Sequence, residues 1–226
     1  LTLTARREVI LSAGAIQSPQ ILELSGIGHS KILRQHGIAL RHELHGVGEN
    51  FSDHYISRLS WRLKRNVSLN NQSHGLRMAA EIARFILTRR GVLSLPAGIL
   101  GGFVKSDPAL DEPDIQYHIA HASFENPAKR QFDRFPGFTI GPCQLRPESK
   151  GYVHITSPDP FDAPIIQPNY LDAEQDRHVH IAGMRIARQI MNSPLMRDEI
   201  VAETKPGAEL VTDEDLLDYA RQTGVT

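Results

Sequence analysis

Residues 12–28 read SAGAIQSPQILELSGIG and follow directly on the apolar run EVIL at residues 8–11. The run has the composition of a short buried strand, joined to a first one at residues 1–4 by a charged ARR turn. Ala13, Gly14 and Ala15 then make a corner of small residues. Ser18 suits a helix N-cap, Pro19 the first helical position, and Gly26 the left-handed position after the last turn. Small residues at the carboxyl end of a strand let the backbone approach a flat ligand closely. The plainer reading is a buried strand followed by a capped helix.

Outward from this stretch, a second short helix is expected over residues 30–36, closed by Gly37. The segment HGVGENFSDH, residues 45–54, holds too many turn formers for regular structure. Tyr55, Ser57, Leu59, Trp61 and Leu63 alternate with Ile56, Arg58, Ser60, Arg62 and Lys64, as in a half-buried strand. Residues 75–90 have helical apolar spacing and stop at Gly91. GGFVKS, DIQYHIAH, FTIGPCQLR and GYVHITS are further strand candidates. Asp172 is placed to cap a long helix reaching about Asn192, with Val179, Gly183, Ile186 and Ile190 on one stripe. Thr212 and Asp215 form a capping box for a last helix. Strands outnumber helices without regular βαβ alternation, which predicts an α+β fold with a largely antiparallel sheet.

Composition narrows the function classes. Lys and Arg (25) balance Asp and Glu (26) in 226 residues, so no strong overall field would hold nucleic acid or an anionic membrane. No apolar run approaches the roughly 20 residues of a spanning helix. The single cysteine, Cys143, excludes an internal disulfide and a cysteine-based zinc site, and favours the cytoplasm. The chain begins without Met in strand-like alternation and ends just past a helix, so it is expected to be cut from a longer polypeptide.

Two fragments, GIGHSK (residues 26–31) and GVGENF (46–51), supply Gly-x-Gly but lack a third glycine and a preceding strand, and read as turns rather than phosphate cradles. Of the histidines, His118 and His121 point to opposite faces of a strand, and His178 and His180 lie about 200° apart on a helix. No metal site is expected. No Gly-x-Ser-x-Gly elbow is present, and Asp159 and Asp162 belong to a Pro-rich turn whose backbone they would brace.

The segment GAIQSPQILELSGIG resembles the second signature of the glucose–methanol–choline (GMC) flavin oxidoreductases. Gly14, Ala15, Ser18, Pro19, Ile21, Leu22, Ser25, Gly26, Ile27 and Gly28 fill its specified positions. The resemblance continues through LHGVGENFSDHY and LRPESKGYVHITSPDPFDAPIIQPNYL, and is weakest between Leu63 and Gln144. It implies that residues 1–54 are the C-terminal part of a Rossmann-like FAD domain. Residues 55–226 would be most of a substrate domain, an antiparallel sheet backed by helices. Ala13 and Gly14 would then lie near the adenosine half of FAD, and Asn50 and Asp53 near the flavin where the chain crosses between domains.

The resemblance also marks what to expect beyond this chain. The family's Gly-x-Gly-x-x-Gly fingerprint lies earlier than Leu1, and its catalytic histidine a few residues beyond Thr226. The expected parent is an FAD-dependent, choline dehydrogenase-like alcohol dehydrogenase or oxidase that passes hydride from a primary alcohol to flavin. The 226 residues alone are expected to be inactive, to retain no FAD, and to self-associate through exposed apolar surface. A cyanohydrin lyase on the same scaffold and a non-catalytic substrate-domain fragment are the alternatives. Choline-type members tend to carry a glutamate shortly before GGF; here Ile99 and Leu100 stand in that neighbourhood. Ile99 is therefore the expected pocket residue, favouring an uncharged alcohol over a cation.

Overall fold

An apolar run becomes a strand only where its backbone finds a partner, and this rule decides several segments of the chain. The structure, a computed structural model, describes residues 4–95, 98, 100–127, 129 and 131–226. The N-terminal stretch gives α1 (Gly14–Leu24), β1 (Ile27–Gly28), α2 (Ser30–Gln35), β2 (His42–Glu43) and β3 (Glu49–Phe51). The middle of the chain gives β4 (Leu59–Leu63), α3 (Gly75–Thr88), β5 (Leu100–Val104), β6 (Ile115–Ala120), β7 (Phe124–Asn126), β8 (Gln131–Phe132) and β9 (Gly137–Gln144). Then follow β10 (Gly151–His154), β11 (Ile165–Gln167), α4 (Glu174–Met191), β12 (Ile200–Lys205) and α5 (Asp213–Thr223). Mixed helices and antiparallel sheets make the fold α+β.

The chain divides into two compact units, one running to Asp53 and completed by Glu148–Asp172, the other made of His54–Pro147 and Ala173–Thr226. In the first, β10 is the centre of an antiparallel sheet ordered β11-β10-β3. Tyr152 pairs with Gln167 on one side, and Gly151 with Phe51 on the other. Segment 45–54, expected to be irregular, thus contains a strand, because β10 supplies the partner that local sequence does not disclose. Conversely, residues 8–11 form no strand. No described strand pairs with them, and Val9 and Ile10 are 86% and 80% exposed.

The helix after them starts at Gly14 rather than at Pro19, so Ser18 is not its cap and Pro19 lies inside it. Pro19 falls near enough the N-terminus that its missing N–H removes a single helical bond. Gly14 has φ +85° and Gly26 φ +82°, conformations that side chains with a Cβ resist. The expected left-handed closure of α1 at Gly26 is present.

The second unit is built on an antiparallel sheet ordered β12-β4-β9-β6-β5. The alternation read in residues 55–63 holds in part: Ser57, Leu59, Trp61 and Leu63 are buried, but so is Ser60, whose hydroxyl meets that of Thr139 at 3.1 Å. Pro142 sits in central strand β9 without breaking it. β4 pairs with β9 only as far as Ile140, so the missing N–H falls beyond that ladder, while Tyr117 of β6 faces Pro142 on the other side.

α4 lies across β9 and β6. A Cβ at Gly183 would come within 2.8 Å of Pro142, so the helix approaches the sheet as closely as glycine permits. There the buried Tyr117 hydroxyl donates to the Gly183 carbonyl at 2.7 Å, and burial raises its pKa. The N-cap of α4 is Ala173, one residue beyond Asp172, and its buried face takes in His180, Met184, Ala187 and Met191 beside Val179 and Gly183. Ile190, expected on the core stripe, is 41% exposed. The last helix carries the expected reciprocal bonds between Thr212 and Asp215.

Candidate functional site

The first unit carries an open cavity of about 530 Å³. One wall comes from α1 through Ala15, Ser18, Pro19 and Leu22, and the facing wall from the glycine-containing loop 46–52. Two sequence segments about thirty residues apart, the SPQIL helix and the GVGENF turn, therefore meet around one space. Asn50 is on that wall and takes φ +59°, a left-handed conformation that asparagine tolerates better than most side chains.

The other expected residues lie elsewhere. Ala13 is the N-cap residue of α1, whose first turn carries no acidic side chain and no side-chain cap. A Cβ built on Gly14 meets nothing within 4 Å, so this position opens onto free space. Asp53 does not line the cavity; its carboxylate accepts a 2.7 Å hydrogen bond from the Tyr170 hydroxyl.

At the cavity, with Glu49 on its wall, is a polar cluster that sequence reading missed. Glu23 is fully buried on α1. Its Oε1 lies 2.7 Å from His154 Nδ1, and its Oε2 accepts from the Ile155 backbone N–H at 2.9 Å. His154 Nε2 is 3.1 Å from Glu49 Oε1 on β3. This chain of contacts ties α1, β10 and β3 together, and Glu49 shares the cavity wall with Val153. The available signal was the side of α1 that goes inward: its buried residues are Gln20 and Glu23, not the isoleucines, and Ile16 and Ile21 are 40% and 43% exposed.

The second unit has a larger cavity, about 810 Å³, over the sheet. Its wall includes Ile56, Leu69, Phe124 and Phe132, with His118 and Arg58 as polar members. No carboxylate is among its described lining residues. Phe124 and Phe132 stack on each other with ring centroids 4.7 Å apart. Ile99 lies outside the described residues, while its neighbour Gly98 is on the cavity wall and Leu100 is 59% exposed. Val225 reaches the same wall by pairing with Ile56, with backbone bonds of 2.9 and 3.0 Å.

The histidines divide by environment. His180 is 2% exposed, contacts the Ser57 hydroxyl at 2.8 Å, and is pushed down to about 4 by burial, against a smaller opposing pull from Asp176. Among the described residues, His29, Glu43 and His45 bring metal-type donor atoms within 4.8 Å of one another. Two of the three already serve the start of α2: Glu43 accepts from Ser30 N at 3.0 Å and His29 from Lys31 N at 3.2 Å.

Comparison with known proteins places this geometry in a family. Two sequence models described as GMC oxidoreductase match residues 2–56 and 147–226, the segments that build the first unit and the end of the second. The chain is 35% identical over 223 residues to an alcohol dehydrogenase [acceptor] of Pseudomonas putida, covering 97% of this chain and 40% of the relative. It is 36% identical over 218 residues to an oxygen-dependent choline dehydrogenase of Photobacterium profundum, covering 96% and 38%. It thus spans about two fifths of the length of these curated relatives. A crystal structure of formate oxidase superposes with a TM-score of 0.87 at 24% identity, covering 98% of this chain and 43% of that one. The α1 signature, the glycine loop that faces it and these matches together establish that the chain belongs to the GMC oxidoreductase family.

Proposed function

We propose that this chain is the part of an FAD-dependent alcohol oxidoreductase that walls one side of the cofactor with its first unit and the alcohol pocket with its second. The observation that carries the reading is the convergence of the α1 signature and loop 46–52 on one cavity. The residues present fit such a cofactor. Gly14 opens onto free space, Ala13 and Ala15 are small, no acidic side chain in the first turn of α1 would repel a phosphate, and the carboxylate on the cavity wall, Glu49, is engaged with His154. Asn50 and the Ala13–Gly14 corner would border the cofactor, with Asp53 held in place by Tyr170. The division of labour would follow the two units, residues 1–53 with 148–172 for the cofactor and 54–147 with 173–226 for the substrate. When bound, FAD supplies the hydride acceptor.

In the second unit, this chain's side chains exclude water and choose the substrate. A largely apolar wall with no carboxylate among its described residues, and with Arg58 on it, disfavours a cation and favours an uncharged primary alcohol. The alcohol's proton would go to a histidine a few residues beyond Thr226, which Val225 would deliver to the cavity wall. The name of the Pseudomonas putida relative agrees with this reading. The choline-named relatives and the stacked Phe124–Phe132 pair, whose faces could meet a quaternary ammonium group, support choline as a second reading.

The deciding comparison is kcat/KM on hexanol and on choline, with the whole protein and its Ile99→Glu variant. Hexanol should be preferred by the wild type, and the carboxylate should shift the ratio towards choline. A wild-type preference for choline would reverse the substrate assignment. Flavin that is not reduced by any alcohol would favour lyase chemistry instead.

A further inference from the structure

α3 is turned the wrong way round for a surface helix. At about 100° per residue, Leu76, Ala79, Ala80, Ala83, Ile86 and Leu87 share an arc of about 120°. Met78, Glu81 and Phe85 lie on the opposite side and are the half-buried ones. The face directed away from the protein is therefore the alkyl one. Leu76 is 90% exposed, Leu87 82% and Ile86 65%, and none of the helix's residues is buried. Its principal neighbours are only its own flanking turns, Leu69–Gln72 and Val92–Ser94. Just beyond, Leu93 and Leu95 add 40% and 47% exposed side chains.

The charge around this face is as uneven as its polarity. Residues 75–90 hold four arginines, Arg77, Arg84, Arg89 and Arg90, against one acid, Glu81, a local net charge of +3 in a chain of net charge −1. Glu81 is itself engaged, 3.5 Å from Arg84 and accepting from Val92 N at 3.2 Å. Arg77 and Arg84 line one edge of the alkyl arc, and Arg89 and Arg90 follow at its C-terminal end. Fourteen residues make a helix of about 21 Å, too short to cross the roughly 30 Å hydrocarbon layer. None of the described helices is long and apolar enough to span a membrane.

We propose that α3 is an in-plane anchor that seats this protein on an anionic lipid bilayer, with Leu76, Ile86 and Leu87 among the acyl chains and the arginines at the headgroups. Bare alkyl side chains with no hydrogen-bonding group in their arc suit acyl chains, and a cationic rim selects anionic headgroups. The overall charge balance does not oppose this, because screening confines the interaction to charges within about 10 Å of the surface.

The test is flotation of the whole protein with vesicles of phosphatidylcholine alone or mixed with phosphatidylglycerol. The wild type should bind the mixed vesicles, less so at high salt, and bind phosphatidylcholine weakly. Leu76→Asp with Leu87→Asp should lower vesicle affinity at least tenfold, and Arg77→Gln with Arg90→Gln about fivefold per arginine. Both leucines are exposed, so the circular dichroism and melting temperature of the variants should match the wild type. Three outcomes overturn the proposal. The wild type may ignore both vesicles. The leucine variant may melt earlier while no form binds lipid, which would mean that another segment of the protein covers the face. Or the wild type may run as a dimer that the leucine variant breaks, again without lipid binding, so that the face pairs with a second copy.

Discussion

Glu23, inside α1 and fully buried, has both carboxylate oxygens committed, one to His154 and one to the Ile155 backbone. Removing one partner of a buried hydrogen-bonded contact leaves the others desolvated and unsatisfied, at a cost of about 1–3 kcal/mol. Glu23→Ala should therefore lower stability by that order in urea unfolding. Glu23→Gln, which keeps an acceptor for Ile155 N, should lose clearly less; equal losses would show that the hydrogen bond to Ile155 contributes nothing. A second residue-scale expectation concerns His180. Unfolded histidine titrates near 6.5, and in the fold burial holds His180 at about 4. Between these values the unfolded chain binds more protons, so stability is full above about pH 6.5 and falls as pH drops towards 4, by roughly 3 kcal/mol in all. His180→Gln should flatten that acid decline when unfolding midpoints are compared at neutral and acid pH. Neither residue was legible as a member of a pair: the partners of Glu23 and His180 lie 131 and 123 positions away, and only folding brings them together.

Elements with local signals were read well, and those that depend on a distant partner were not. The Thr212–Asp215 box and the glycine closures of α1 and α2 are short-range chemistry, written within four residues. The strand at Glu49–Phe51, by contrast, exists because Gly151 and Tyr152 pair with it. Residues 8–11 have the right composition but no described partner, and form no ladder. β12 is also tied to α4, by Arg188. Its guanidinium reaches both oxygens of Glu203, the nearest at 2.7 Å, and also donates to the carbonyls of Leu210 and Gly207 at 2.7 and 2.9 Å. A lysine ammonium cannot match this planar fork. Arg188→Lys should cost about 2–3 kcal/mol by the lost charge-assisted hydrogen bonds, and should expose the amides of Ile200–Lys205 to hydrogen exchange ahead of β9. Unchanged exchange in β12 would mean that its pairing with β4 suffices.

For the molecule as a whole, the family was legible because its signature is local, fifteen residues at fixed spacing. Which cavity that signature serves was not, since the facing wall comes from a loop that the sequence shows only as a run of turn formers. The candidate site was legible in part for the same reason: Asn50 lines the cavity, whereas Glu23 occupies a position that the signature leaves unspecified. On the proposed function, the 226 residues alone wall one side of the cofactor and lack the family's glycine fingerprint. Expressed by themselves, they should purify without flavin absorbance, whereas the whole protein should be yellow. Stoichiometric flavin on the isolated chain would contradict the proposed placement of the cofactor.

The return of Glu148–Asp172 to the first unit also sets a timetable for its birth. β3 leaves the ribosome about 100 residues before the strand it pairs with, an interval of roughly 5–20 s at ordinary rates of synthesis. Throughout it, Glu23 awaits His154, the glycine loop has no sheet to rest on, and the intervening stretch through β9 is made and can begin to pair. The nascent chain must therefore keep an early, unfinished unit from sticking to its neighbours while a later one takes shape. Rare codons or a chaperone acting before residue 151 would change the yield of the first unit far more than the same delay placed after residue 172.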